Sequence, residues 1–417
     1  MTSWREEDVF TVFLGLSVIC HGMFFWREWL VFGSGLLIFR LLKWIKTPII
    51  IRFDREQLTT LFKEYIGDWR IIFRAYKILL DPRGIFLMLI AFSLLGLFHP
   101  IRSIEGWLEA FRWLVFLAIY LWGKSLACSV ETREKVVKRI VLISLICTII
   151  SWLPGSEMIW ASAAPPEDGR FALCFGYPNA AAVFIGCQLL LLQKENKVNL
   201  LFLSIFLIGI VCTGSRSATV LLLIFSAVLT IKKVTLNLEK NKTLNSLGFL
   251  GFKLETTGEE SKSLIFILLL LLFWTINPRF NSSLQHLLDW TGTSLNERIV
   301  YYLDSIRLAW SFRFLPEAGG WLAFPFRQTI SYWTLNPHSS VCSVLLNQGL
   351  AGVVLLGIWG LKGFICYLKE LIRGKDLTSI CSKTAVLYLG LHSLMDTDIS
   401  FGTLGMLFWL LTGMYSK

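Results

Sequence analysis

The sequence predicts an all-α polytopic membrane protein: a single transmembrane domain over residues 1–417 with about twelve transmembrane helices and one large folded, helical outer loop. Three observations predict it. Hydrophobic residues make up 55% of the chain and charged residues only 17%, and the mean hydropathy is +0.62, values foreign to soluble globular chains. Apolar runs recur from end to end of the sequence at close to the ~20 residues a helix needs to cross a bilayer. Lysines and arginines segregate between alternate connections, which gives the spans an orientation.

Taken in order, the apolar runs and their breaks place spans near residues 9–25, 29–45, 84–98, 107–127, 140–153, 171–192, 198–213, 217–231, 263–277, 341–361, 384–397 and 400–415. The opening "MTSWREED" is not net basic and no small-x-small cleavage site follows Phe25, so the first helix is expected to be retained. With the N-terminus inside, every lysine falls on the cytoplasmic side: Lys43 to Lys77, Lys124 to Lys138, Lys194, Lys197, Lys232 to Lys262, Lys362 to Lys383, and Lys417. Both termini are then cytoplasmic. The basic residues of the outer loops and outer span ends are all arginines: Arg27, Arg102, Arg112, Arg170, Arg216, Arg279, Arg298, Arg307, Arg313 and Arg327. The net charge of +11 is mostly topology, and basic residues dispersed between spans do not make a nucleic-acid surface.

Nine cysteines would allow a disulfide framework, but Cys20, Cys147, Cys174, Cys187, Cys212 and Cys366 sit inside or at the ends of spans and read as small packing residues. No spacing resembles a metal or redox motif. Residues 46–83 alternate charged and apolar residues at helical spacing and read as an inner amphipathic segment in the headgroup layer. Residues 232–262 read as a cytoplasmic connector. Residues 278–340 form the large outer loop, which its tryptophans Trp290, Trp310, Trp321 and Trp333 mark as folded. Within it "SLNE", Ser294 to Glu297, is a capping box opening an amphipathic helix with apolar positions at Ile299, Leu303, Ile306 and Trp310.

Arg298 falls in the first turn of that helix, where a cation opposes the dipole unless an anion lies at the helix end. Arg307 has a simpler account, an i,i+3 pair with Asp304. Arg216, in "CTGSRSATVLLL", sits at an outer turn beside Thr213, Gly214, Ser215 and Ser217; a snorkelling anchor is the plainer reading of such an arginine. Arg170 lies at another outer span end, ahead of Pro178 and Asn179, which break a helix that would otherwise be regular. Irregular backbone at membrane depth lines a cavity or faces protein. Finally, "TLNPHSSVCSVLLNQG" puts a lone histidine, His338, between a proline turn and the start of a span. A histidine bonded to a loop carbonyl would account for it structurally.

"GRFALCFGYPNAAA", "TGSRSA", an arginine early in the outer-loop helix and "NPHSSVCSVLLNQGLAGVVLLG" occur in the order seen in the O-antigen ligase and polymerase superfamily, and the chain resembles its members over roughly residues 165 to 360. "HSLMDTD" near the end also resembles members from Gram-positive bacteria. The resemblance implies transfer of a glycan from an undecaprenyl-pyrophosphate carrier to an acceptor (a glycan, a lipid or a protein) at the outer face of a bacterial cytoplasmic membrane. It assigns His338 as base and Arg216, Arg298 and Arg170 to the pyrophosphate, and it points to metal-independent transfer without a cofactor. Members commonly follow the histidine with asparagine; Ser339 stands there in this chain, which leaves the ring's orientation to other contacts.

General chemistry agrees with those roles. Displacing a lipid pyrophosphate from a sugar C1 needs a base for the incoming hydroxyl and stabilisation of the departing oxyanions. Histidine titrates near neutrality, and the guanidinium fork matches pyrophosphate oxygens better than a lysine point charge. Secondary candidates are Asn179, Ser215, His392 and Asp396. "DTD" formally matches the acidic D-x-D of metal-dependent glycosyltransferases, but Asp396 and Asp398 read here as polar anchors or acceptor contacts. A polymerase joining lipid-linked repeats is the alternative within the superfamily. A flippase for lipid-linked sugars is the alternative outside it, and would gather its polar residues near the midplane of the spans.

Overall fold

The computed structural model of the protein describes residues 6–46, 81–127, 129–152, 170–193, 200–243, 278–288, 293–329 and 334–416. Among the described residues every regular element is helical: α1 Glu6–Ile19, α2 Trp26–Lys46, α3 Pro82–Leu95, α4 Ser103–Leu126, α5 Val130–Trp152, α6 Pro178–Leu192, α7 Leu200–Thr213, α8 Arg216–Thr243, α9 Pro278–Leu288, α10 Thr293–Ser311, α11 Ser340–Arg373, α12 Leu377–Met395 and α13 Gly402–Tyr415. The expected apolar stretches fall on or overlap these helices, apart from 263–277, which lies outside the described residues, as does most of the 46–83 segment. The 232–262 connector begins later than expected, because α8 continues to Thr243.

Two stretches are long and apolar enough to cross a membrane by length and composition, Arg216–Asn237 and Ser340–Arg373, with 22% and 39% of their apolar windows buried inside the protein. The helices α3, α6, α7 and α13 are apolar but shorter. Of these α6 is the hub. All its residues except Asn179 are buried, as an all-apolar helix requires, and α5, α7, α8 and α12 surround it. The crossing of α4 with α13 is set by glycine: a Cβ on Gly413 would lie 2.2 Å from the Tyr120 carbonyl oxygen, and one on Gly123 2.4 Å from that of Leu410. Only residues without side chains let the two backbones come so close. Cys147, Cys174, Cys187, Cys212, Cys342 and Cys381 are buried free thiols.

The polar contacts sort to two ends of the bundle. At one end Glu6 of α1 meets Lys43 of α2 and Ser125 of α4, Asp8 meets Arg139 of α5, and Tyr120 meets Ser416. There too Lys232 of α8 donates to the Ile372 carbonyl, and Lys383 of α12 pairs with Glu370 of α11. The other end carries the starts of α6, α8, α11 and α13 and the ends of α7 and α12. Onto it folds the 278–340 segment.

That segment shares a separate core with the start of α11, in which Tyr301, Leu308 and Ala309 of α10 and Phe324 pack with Leu345 and Leu346. The face is not the one the sequence offers. Ile299, Leu303, Ile306 and Trp310 are exposed, Trp310 at 73%, while Asp304 and Ser305 point inward. Their burial is tolerated because both are bonded: Asp304 accepts the Thr329 backbone N–H at 2.8 Å and its hydroxyl, and Ser305 donates to the Tyr301 carbonyl. Arg307 pairs with Asp304 at 3.0 Å, as the spacing predicts. Trp290 and Trp333 lie outside the described residues. The loop is anchored where α11 breaks at Gly349, whose φ is +69°. There the Phe314 carbonyl accepts the Leu350 N–H at 3.0 Å, and a Cβ on residue 349 would lie 2.5 Å from that oxygen.

Candidate functional site

His338 is positioned by the backbone on both sides of it. A residue before proline is confined to extended conformations, so Asn336 and Pro337 deliver the chain to His338 without a helical turn. His338 itself is left-handed, with φ +45°, a region uncommon outside glycine but enriched in histidine. Ser339 then returns to extended backbone and caps α11, its Oγ accepting the Cys342 N–H at 3.3 Å. Serine and asparagine are both favoured N-caps, so Ser339 performs a helix-capping role that asparagine would also fill. The next residue ties α11 to the end of α12, as the Ser340 N–H donates to the Asp396 carbonyl at 3.0 Å.

Asp396, singled out in the sequence only as a secondary residue, is the centre of the cluster. It is fully buried. Its carboxylate accepts from the Tyr177 hydroxyl, 2.9 Å from each oxygen, from Asn179 Nδ2 at 2.7 Å, from its neighbour's Thr397 N–H at 2.8 Å, and from Arg298 at 3.2 Å. His338 Nδ1 stands 3.6 Å from the same carboxylate. Arg298 also donates to the Met395 carbonyl. Because α10 begins already at Thr293, Arg298 lies in its second turn rather than its first, and the anion it faces is supplied within the chain by Asp396. Burial works most strongly against the Arg298 charge, but the Asp396 carboxylate together with Tyr177, Tyr302 and Asp398 holds the guanidinium pKa above its ordinary value.

The "TGSRSA" turn joins this cluster from α7 and α8. Arg170 donates through Nε to the Thr213 carbonyl at 2.8 Å and through a terminal nitrogen to Asn179 Oδ1 at 3.3 Å. Gly214, with φ +61°, presents its carbonyl to His286 Nδ1 at 3.2 Å. Ser215 is buried with its hydroxyl unpartnered. Arg216 is the first residue of α8. His392 sits behind the cluster in a second network: Nε2 meets Ser217 Oγ at 2.9 Å, and Nδ1 meets Asp398 at 2.6 Å, with both His392 and Asp398 fully buried. Asp396 and Asp398 thus face different partners. Among the described residues no group of three or more His, Cys, Asp or Glu side chains is placed to hold a metal.

The structure therefore links Arg170, Asn179, Asp396, Arg298 and His338 through side chains, brings Ser215 and Arg216 beside them through the turn, and encloses His392. Two members escaped the sequence reading. Tyr177 bridges Asp396 and His338, at 3.2 Å from Nδ1, and Thr334 Oγ1 lies 3.1 Å from His338 Nε2. The signal for Tyr177 was present, a hydroxyl-bearing residue directly before the proline that starts α6. His338 keeps 24% of its side chain exposed, with Nδ1 turned to Tyr177 and Asp396 and Nε2 to Thr334. Such an arrangement has the form of an imidazole positioned by a tyrosine hydroxyl that a buried carboxylate fixes in turn. No protein-family model matches the chain, and neither does any curated protein or solved structure.

Proposed function

We propose that the protein is a membrane glycosyltransferase of the O-antigen ligase type, moving a glycan from an undecaprenyl-pyrophosphate carrier to an acceptor hydroxyl at the outer face of a bacterial cytoplasmic membrane. The observation that carries the reading is His338, a partly exposed histidine braced by a buried carboxylate within a cluster of arginines. In the reaction His338 takes the acceptor's O–H proton and the acceptor oxygen bonds to the sugar C1. The C1–O bond to phosphate breaks, and the undecaprenyl pyrophosphate leaves with the electron pair. Arg170 and Arg216 stabilise the departing oxyanions. Arg298 neutralises Asp396, which would otherwise repel them.

The location of the cluster favours transfer over transport. Its charged groups gather at one end of the bundle, whereas a transporter holds them near mid-span. In this reading the protein has about twelve spans. The end with Lys43, Lys232 and Lys383 is cytoplasmic and the His338 end is external. Exposed Val31, Leu223, Ile231, Leu361 and Ile372 supply a lipid-facing surface. The test is glycan transfer by purified protein in nanodiscs, with donor binding measured alongside. His338→Ala should lose ~100- to 10,000-fold in turnover and keep donor binding. Near-normal turnover would overturn the role of His338.

A further inference from the structure

Tyr177 ends an extended segment, at φ −138° and ψ 112°, immediately before α6. Its ring is stacked on Phe401 at 5.8 Å and 6°, which leaves the hydroxyl little freedom. Three groups converge on that hydroxyl: the Asp396 carboxylate, Asn179 Nδ2 at 3.1 Å and His338 Nδ1 at 3.2 Å. A phenol has one proton to give. The ionised carboxylate can only accept, so the proton goes to Asp396. Asn179 Nδ2 can only donate, into the tyrosine oxygen. His338 Nδ1 can then approach the same oxygen only with a hydrogen of its own. Asp396, 3.6 Å from Nδ1, favours the same hydrogen.

We infer that Tyr177 is a positioning residue that holds His338 as its Nδ1–H tautomer and leaves the lone pair on Nε2. Phe401 holds the tyrosine ring, Asn179 and Asp396 settle its proton, and the tyrosine oxygen settles the proton of the histidine. Nε2 lies on the opposite edge of the imidazole, facing the Thr334 hydroxyl at 3.1 Å; that hydroxyl has one proton, and in this tautomer it turns from the Asn336 carbonyl, 3.2 Å away, to Nε2. The Thr334 oxygen therefore marks the side from which an acceptor O–H would present its proton. The catalytic consequence rests on the proposed role of His338 as base; the tautomer does not.

The experiment is nitrogen NMR of protein carrying imidazole-¹⁵N histidine, in nanodiscs at mildly alkaline pH, with His338→Gln identifying its resonances. The wild type should show Nδ1 as the protonated nitrogen and Nε2 as the bare one. In Tyr177→Phe the two resonances should move toward each other as the tautomers mix. In transfer assays the same variant should lose roughly tenfold or more in kcat, short of the ~100- to 10,000-fold of losing the base itself, with donor KM within about twofold. A wild type with the proton on Nε2 would overturn the inference, as would a folded Tyr177→Phe protein with unchanged histidine resonances. The wild-type spectrum decides the matter if the variant fails to fold. Wild-type protein with the Nδ1–H tautomer but no glycan transfer would support the positioning and sink the transferase reading.

Discussion

Arg298 and Asp396 form an ion pair, 3.2 Å long, between the second turn of α10 and the residue that caps the end of α12, with the carboxylate fully buried and the arginine side chain 18% exposed. The pair joins the loop to the bundle at the point where His338 is held. Removing the arginine alone would leave a buried carboxylate without its cationic partner, held only by the neutral donors Tyr177, Asn179 and the Thr397 N–H.

Breaking such a pair from one side costs ~3–5 kcal/mol. Arg298→Met should therefore lower the thermal midpoint in detergent strongly, and Asp396→Asn less so, since an amide still bonds Tyr177. The double variant should lose less than the sum of the singles, because neither charge is left alone. Additivity within about 0.5 kcal/mol would mean that the two residues act independently.

Ser339 gives a finer test of how His338 is presented. Its Oγ caps α11, so Ser339→Ala should cost ~1 kcal/mol and Ser339→Asn almost nothing. Chemical denaturation in a mild detergent reads both. A Ser339→Asn protein as unstable as Ser339→Ala would show that the serine does more than cap.

The helices were legible because each is carried by an apolar run long enough to bury one helical face or more. The inward face of α10 was not. Apolar residues occupy both sides of that helix, and Asp304 looks like a solvent-facing residue until Thr329, 25 positions later, is found to satisfy it. The site divides in the same way. His338, Arg298 and Arg170 stood out singly as polar groups at helix ends. Their assembly depends on Asp396, which is 219 positions from Tyr177 and 98 from Arg298, and no local pattern reports contacts at that range. Tyr177 carries no local signal of its partners, because its hydroxyl meets Asp396 and His338 only through the fold.

The two histidines at this end should separate by what they break. Both nitrogens of His392 are engaged in a fully buried network, so His392→Ala leaves Asp398 without its partner and should destabilise the fold by ~3–5 kcal/mol. His338 is left-handed, a conformation that glycine adopts without strain. His338→Gly should therefore keep the wild-type thermal midpoint while losing transfer. A His338→Gly protein that unfolds more readily than His392→Ala would make His338 a structural residue.

Orientation yields the last prediction. Phe326, in the folded outer segment, is 87% exposed, and Lys369 is exposed near the opposite end, where Lys383 and Glu370 pair. Single cysteines at these positions, in a background with the exposed Cys366 replaced by serine, report the two ends separately. An impermeant thiol reagent added to intact cells should label Phe326→Cys and spare Lys369→Cys, and permeabilised cells should show both. Permeabilisation matters because an unlabelled cysteine in intact cells is informative only if it reacts once the membrane is opened. The reverse pattern would place His338 on the cytoplasmic side, where the lipid-linked donor has not yet crossed the membrane, and the outer-face transferase would have to be abandoned.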